Sequence, residues 1–204
     1  MHIIFACIVG FLSGSILWSY LLGQLFYDVD IRDYGSDRNP GAMNAFRAKG
    51  FGLGASGGLL DVLKAYIPVH YFVYDAPAGL LSPLEMGCVV VAPILGHIFS
   101  PFFKGKGGKG VAATVGVWFA LGFMHFGLIL GLFFCFGELL KFLYFALSSH
   151  MLDDAYAVVG GFFGFIIYLY LQWTQLFLAG LMNFFILAYS HRKELLGKRQ
   201  LIET

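Results

Sequence analysis

The sequence predicts an all-α membrane protein of seven transmembrane helices, with the N-terminus outside and the C-terminus cytoplasmic. Three observations lead there. The 204 residues are 59% hydrophobic and 12% charged, against about 25% charged in soluble domains, and the mean hydropathy is +0.77. Uncharged runs recur at lengths that cross the hydrocarbon as helix, roughly 17 to 25 residues. Lys and Arg gather in alternate connecting segments, as they do where cations are retained on the cytoplasmic side.

The first span is a single helix over Ile3 to Tyr27, too long and too poor in N-terminal cations for a cleaved signal peptide. The second runs from about Phe51 to Tyr74, interrupted by Asp61 and Lys64, and the third from about Gly87 to Phe103. Residues 110–152 are too long for one span and read as two short ones with a break at 121–124. Residues 155–190 divide the same way at 172–175. An odd number of spans puts the termini on opposite sides. Segments 28–50, 104–110, about 148–154 and 191–204 then hold eleven of the thirteen Lys and Arg residues. The other two, Lys64 and Lys141, fall within spans, and the opposite loops at 75–86, 121–125 and 171–176 have none. The net charge of +1 conceals this asymmetry and gives no reason to expect a nucleic acid partner. Cys7, Cys88 and Cys135 all fall in spans without paired spacing, so they read as packing residues, with neither a disulfide framework nor a metal site. The chain is expected to be one membrane domain, 1–204.

The polar residues that chemistry needs collect on the cytoplasmic side. The first loop is rich in turn residues and hydrogen-bond donors, with Ser36, Asn39, Gly41, Asn44 and Arg47 suited to an anion. The second signal is the run Lys104 to Gly110, three lysines and four glycines between two apolar stretches. It is not a Walker A motif, because Phe103 replaces the first glycine and Gly110 the Ser or Thr that holds magnesium. A Gly107-Gly108-Lys109-Gly110 turn entering a helix still offers backbone donors, a positive dipole end and an ammonium. Asp61 with Lys64, and Glu138 with Lys141, are spaced three apart inside spans and read first as structural ion pairs. His97 and His191 lie on the same side as the two anion-suited loops.

These motifs resemble the bacterial acyl-phosphate:glycerol-3-phosphate acyltransferase family, PlsY. The first helix is similar in Ser13-Gly14-Ser15-Ile16 and Tyr20-Leu21-Leu22-Gly23. The first loop is similar in Asp30-Ile31-Arg32, Tyr34-Gly35-Ser36, Asn39-Pro40-Gly41-Ala42, Asn44 and Arg47. Asp61 and Lys64 match the next motif, and Gly96-His97, Phe99 and Lys106 to Ala112 the one after. Later in the chain the similarity thins. The fifth-helix motif keeps Ser148 and Ser149 but loses its arginine and its first serine, and Glu194 follows His191-Arg192 where the family has asparagine. Met43 replaces a threonine, Leu17 a proline, and one residue is inserted between Ser36 and Asn39.

The resemblance implies an enzyme with no cofactor that moves a fatty acyl group from acyl phosphate to sn-glycerol 3-phosphate, giving lysophosphatidic acid at the inner membrane. It implies Arg47, Lys109, His191 and Ser149 as catalytic residues, the first three holding the glycerol phosphate. Ser36, Asn39, Asn44, Gly107 and Gly108 would hold the acyl-phosphate head, with Gly110, His97, Lys64 and Ser148 completing the binding set. Acyl phosphate is an activated anhydride, so no covalent intermediate is required. Two other readings remain open: a diverged relative with another acceptor or no catalysis, and an organic-anion transporter lined by the intramembrane charges.

Overall fold

The first apolar run is not the single helix that its length implies. Helix α1, His2–Ser15, ends where Leu17 leaves helical geometry, and α2, Trp18–Tyr27, restarts at once. The cause lies in a different span. Asp61 accepts hydrogen bonds from Trp18 N (3.1 Å), Ser19 N (3.3 Å) and Ser19 Oγ (2.6 Å), and Lys64 Nζ donates to Ile16 O at 2.5 Å. Asp61 and Lys64 lie 2.7 Å apart, both buried. The pair therefore satisfies backbone groups that the break sets free, as non-helical backbone at membrane depth requires.

The structure is a computed structural model that describes residues 2–75, 81–122, 124–150 and 152–197; all its regular elements within them are helical. Part of the loop expected at 75–86 lies outside these residues, as do Phe123 of the break at 121–124, Met151, and the tail cations Lys198 and Arg199. Helix α3, Ala42–His70, begins well before the span expected from Phe51 and turns at Lys49–Gly50, where Gly50 adopts φ +72°. Part of what reads as the first loop is thus helix. Helix α4, Pro83–Ile98, also starts ahead of expectation, because Ser82 and Glu85 form a reciprocal capping box before it. Helix α4 meets α1 at backbone contact: a Cβ on Gly14 would lie 2.1 Å from Pro93 O, and one on Gly96 2.0 Å from Phe11 O.

The run 110–152 does divide at the expected break, into α5, Val111–Leu121, and α6, Met124–Ser148. Only α5 is short; α6 has 25 residues, so the two-short-spans expectation is half corrected. Helices α7, Asp154–Gln172, and α8, Thr174–Ser190, part at Trp173 as expected, and a single turn, α9, Arg192–Leu195, follows. Trp118 of α5 stands at the core among Phe126, Phe162 and Phe165, its Nε1 donating to Asn183 of α8, which in turn donates to Thr114. Lys141 of α6 bonds Glu138 and Asp154, both at 2.5 Å, and so fastens α6 to the start of α7. Four stretches, Ile3–Tyr27, Pro83–Phe103, Met124–Ser148 and Asp154–Gln172, are long and apolar enough to cross a membrane, and Val111–Leu121 and Thr174–Ser190 are shorter apolar helices. Packing leaves the first loop, the glycine-lysine loop, the start of α7 and α9 around one cleft.

Candidate active site

That cleft has a volume of about 640 Å³. The first loop shapes one wall. Asp30 accepts from Arg32 N and closes a 3-10 turn over Ile31–Tyr34, while the Arg32 guanidinium grips the same carboxylate and lies 4.8 Å from the Tyr20 ring centre. That hydrogen bond from Arg32 holds Asp30 below the usual carboxylate range. Arg32 is committed to the loop, which leaves Arg47 as its cation toward the cleft. Asn44 is the staple: its Nδ2 donates to Asn39 O (2.8 Å) and Asp37 Oδ1 (3.1 Å), and its Oδ1 accepts from Arg47 at 2.7 Å. A Cβ on Gly35 would fall 2.1 Å from Asn44 Oδ1, so only glycine lets the staple close.

The glycine-lysine loop supplies the opposite wall, but by a different route from the one its composition suggests. Gly107 N donates to Ile98 O and Gly108 N to His97 O, at 2.9 and 3.0 Å. These two donors terminate α4 and are not available to an anion, which corrects the expectation that the Gly107-Gly108 backbone holds a phosphate. Both glycines are there for closeness: a Cβ would lie 1.9 Å from His97 O at Gly107 and 2.1 Å from His97 Nε2 at Gly108. The anion-attracting feature is one step further on. Gly110, at φ +84°, starts α5, and Gly110, Val111 and Ala112 line the cleft with the positive end of that helix.

Lys109 stands between the walls. Its Nζ lies 2.8 Å from Asp37 Oδ2 and 2.9 Å from Glu194 Oε1, and its carbonyl accepts from Ser190 Oγ at 2.8 Å. Burial pulls the Lys109 ammonium downward, but its two carboxylate partners outweigh burial and hold it above the usual lysine value. Burial likewise pushes Asp37 up, and Lys109, Asn39 and Asn44 together bring it below its usual value. His191 follows α8 and lines the cleft, with Nδ1 donating to Leu187 O at 2.9 Å. Burial, joined by the charge of Lys109, lowers His191 below its ordinary value of 6.5 despite the opposing Leu187 bond. The ring is therefore neutral at pH 7, with Nε2 carrying a lone pair.

Of the residues expected from the sequence, Ser36, Asn39, Asn44, Arg47, His97, Lys109, Gly110 and His191 all line the cleft. Lys64 does not, being engaged by Asp61 and Ile16 O, so the structural ion-pair reading is the one that fits it. Ser148 and Ser149 close α6 outside the lining: Ser148 Oγ donates to Tyr144 O, and Ser149 turns the chain at φ +57°. Asp37, Glu138, Asp153 and Asp154 line the cleft without having been singled out as site residues. For Asp37 the signal was present, since it falls at the insertion between Ser36 and Asn39.

Comparison with known proteins identifies the family. The sequence model of the family described as Glycerol-3-phosphate acyltransferase matches residues 4–199. Glycerol-3-phosphate acyltransferase 1 of Thermotoga maritima is 32% identical over 195 residues, covering 94% of this chain and 95% of that one. Two crystal structures of PlsY (YgiH), an integral membrane glycerol 3-phosphate acyltransferase, superpose over 97% of this chain and 94% of theirs. The glycerol 3-phosphate form does so with a TM-score of 0.74 and 27% identity, the lysophosphatidic acid form with 0.78 and 26%. The chain is a multi-pass membrane protein that belongs to the glycerol-3-phosphate acyltransferase family.

Proposed function

We propose that the protein transfers a fatty acyl group from acyl phosphate to sn-glycerol 3-phosphate, at a site on the cytoplasmic face of a seven-span fold in the bacterial inner membrane. The observation that carries this is the convergence of Lys109, Arg47 and the α5 N-terminus on one cleft at the end of an apolar bundle. Both substrates bear phosphate, and one bears a chain that partitions into lipid. Holding the two anions side by side brings the acceptor hydroxyl to the acyl carbon, where fixed cations and donors act without reorganisation. The hydroxyl oxygen attacks the acyl carbonyl carbon, the bond from that carbon to the phosphate oxygen breaks, and phosphate leaves with the bonding pair. The hydroxyl proton passes to the departing phosphate, with neutral His191 placed to orient the hydroxyl through Nε2. Ser36, Asn39 and Asn44 border the same space. Engagement of Lys64 by Asp61 and of Lys141 by Glu138 and Asp154 favours this reading over a charged transport path.

Purified protein incubated with palmitoyl phosphate and glycerol 3-phosphate is expected to release lysophosphatidic acid and phosphate, whereas acyl-CoA and acyl-carrier protein in parallel give none. Product from acyl-CoA alone would sink the donor assignment. For the orientation, single cysteines in a background lacking Cys7, Cys88 and Cys135 are the measure. One at Arg38 is expected to react in intact cells only with membrane-permeant thiol reagents, and one at Ser82 with impermeant ones too. Labelling of Arg38 from outside inverts the proposed topology.

A further inference from the structure

The two carboxylates on Lys109 come from different parts of the chain, Asp37 from the first loop and Glu194 from the turn that follows α8. They are held differently. Asp37 is locked in: Oδ1 accepts from Asn39 N and Asn44 Nδ2, both at 3.1 Å, while Oδ2 meets Lys109. Glu194 meets Lys109 through Oε1 alone, and its Oε2 is buried without a hydrogen-bond partner among the described residues. It rides on the single turn α9, which Tyr156 of α7 fastens by donating to Leu195 O at 3.2 Å. One ammonium between two carboxylates leaves that seat with a net negative charge. Two of the three N–H donors of Lys109 are taken by carboxylates, so a phosphate that seats fully on the ammonium competes with them, and Glu194 is the one with less to lose. Released, it carries a buried unsatisfied oxygen out to water, which offsets part of the cost of breaking the ion pair.

We propose that Glu194 is a built-in competitor for the phosphate seat on Lys109, displaced by the incoming substrate phosphate, and that it sets the affinity of this protein for its anionic substrates. Asp37 keeps Lys109 in place throughout. This rests on the acyltransferase reading above for the identity of the natural phosphate, but not for the competition itself. A chain built this way binds phosphate more weakly than its cations alone would allow, so it works where glycerol 3-phosphate is abundant and releases product phosphate readily.

The test is calorimetric titration of the intact, detergent-purified protein with inorganic phosphate and, separately, glycerol 3-phosphate. It compares the wild type with Glu194→Gln, Glu194→Asp and Asp37→Asn, beside steady-state kinetics. Glu194→Gln is expected to tighten both ligands about tenfold and to lower KM for glycerol 3-phosphate by a similar factor, with any change in kcat smaller than that. Glu194→Asp, one methylene shorter and withdrawn from Nζ, should tighten in the same direction by less, and it decides the matter if the glutamine variant does not fold. Unchanged or weaker phosphate binding in the folded Glu194 variants overturns the proposal. So does equal tightening in Asp37→Asn, which would mean that only the overall charge of the cleft counts. If no protein makes lysophosphatidic acid, the acyltransferase reading fails, while the phosphate titration still decides whether Glu194 competes.

Discussion

Lys109→Ala is expected to lower kcat/KM for glycerol 3-phosphate by roughly two to three orders of magnitude, the effect of removing one charge-assisted donor from an enclosed site. The side chain is 23% exposed and is the ammonium on which the first loop, the glycine-lysine loop and α9 converge. Alanine deletes the positive charge and also leaves Asp37 and Glu194 as unopposed carboxylates facing an incoming dianion. Both consequences have the same sign. Lys104→Ala, at the exposed entrance of the same loop, is the control and is expected to change kcat/KM less than threefold, the scale of an exposed charge. Steady-state kinetics with palmitoyl phosphate saturating would measure both. Similar losses in the two variants would show that the loop acts only as a diffuse positive field, and the specific role of Lys109 would be abandoned.

Asp61→Ala has the largest expected effect on stability, about 3 to 5 kcal/mol, the usual cost of breaking a buried ion pair by removing one partner. Four donors lose their acceptor at once: Trp18 N, Ser19 N, Ser19 Oγ and Lys64 Nζ. The Lys64 ammonium is left buried with Ile16 O as its one hydrogen-bond partner among the described residues. Thermal unfolding in detergent should show a fall in Tm of many degrees, and adding Lys64→Met to the variant should recover part of it by removing the stranded charge. An Asp61→Ala protein that melts within two degrees of the wild type would mean that water, not this carboxylate, satisfies the break between α1 and α2.

Residues that act alone were legible in the sequence, and residues that act through distant partners were not. Trp173 and the 121–124 break divide long apolar runs, so length alone located them. The two apolar residues Ile16-Leu17 do not themselves announce a break; the one signal was the proline that the resembled family has at the position of Leu17, and the groups that stabilise the break lie on α3, Lys64 being 48 positions away. The glycine-lysine loop shows the same limit. Its composition marks Lys109 and Gly110, which line the cleft, but a glycine N–H looks equally free whether it faces a ligand or terminates α4, as Gly107 and Gly108 do. Ser148 and Ser149 carried over by motif, in the stretch where the similarity thins, and they are the serines that the fold leaves outside the cleft. Glu194 was visible as a departure from the family pattern; its partner was not, since Lys109 and Glu194 meet only through the packing of α5 against α8 and the turn after it.

The route by which Lys109 gathers its neighbours also sets a schedule for biosynthesis. Ribosomal synthesis delivers Asp37 first, Lys109 midway and Glu194 only after α8. A nascent chain can insert its early helices and close Asp61 and Lys64 onto the gap at Ile16 long before His191 exists, so maturation of the bundle and maturation of the cleft are separate events in time. Until α9 emerges, Lys109 waits with Asp37 as its one carboxylate partner of the two. A chain interrupted within α8 therefore keeps the closure at Ile16 and the pairing of Asp37 with Lys109 but lacks His191 and Glu194, so its cleft is unfinished.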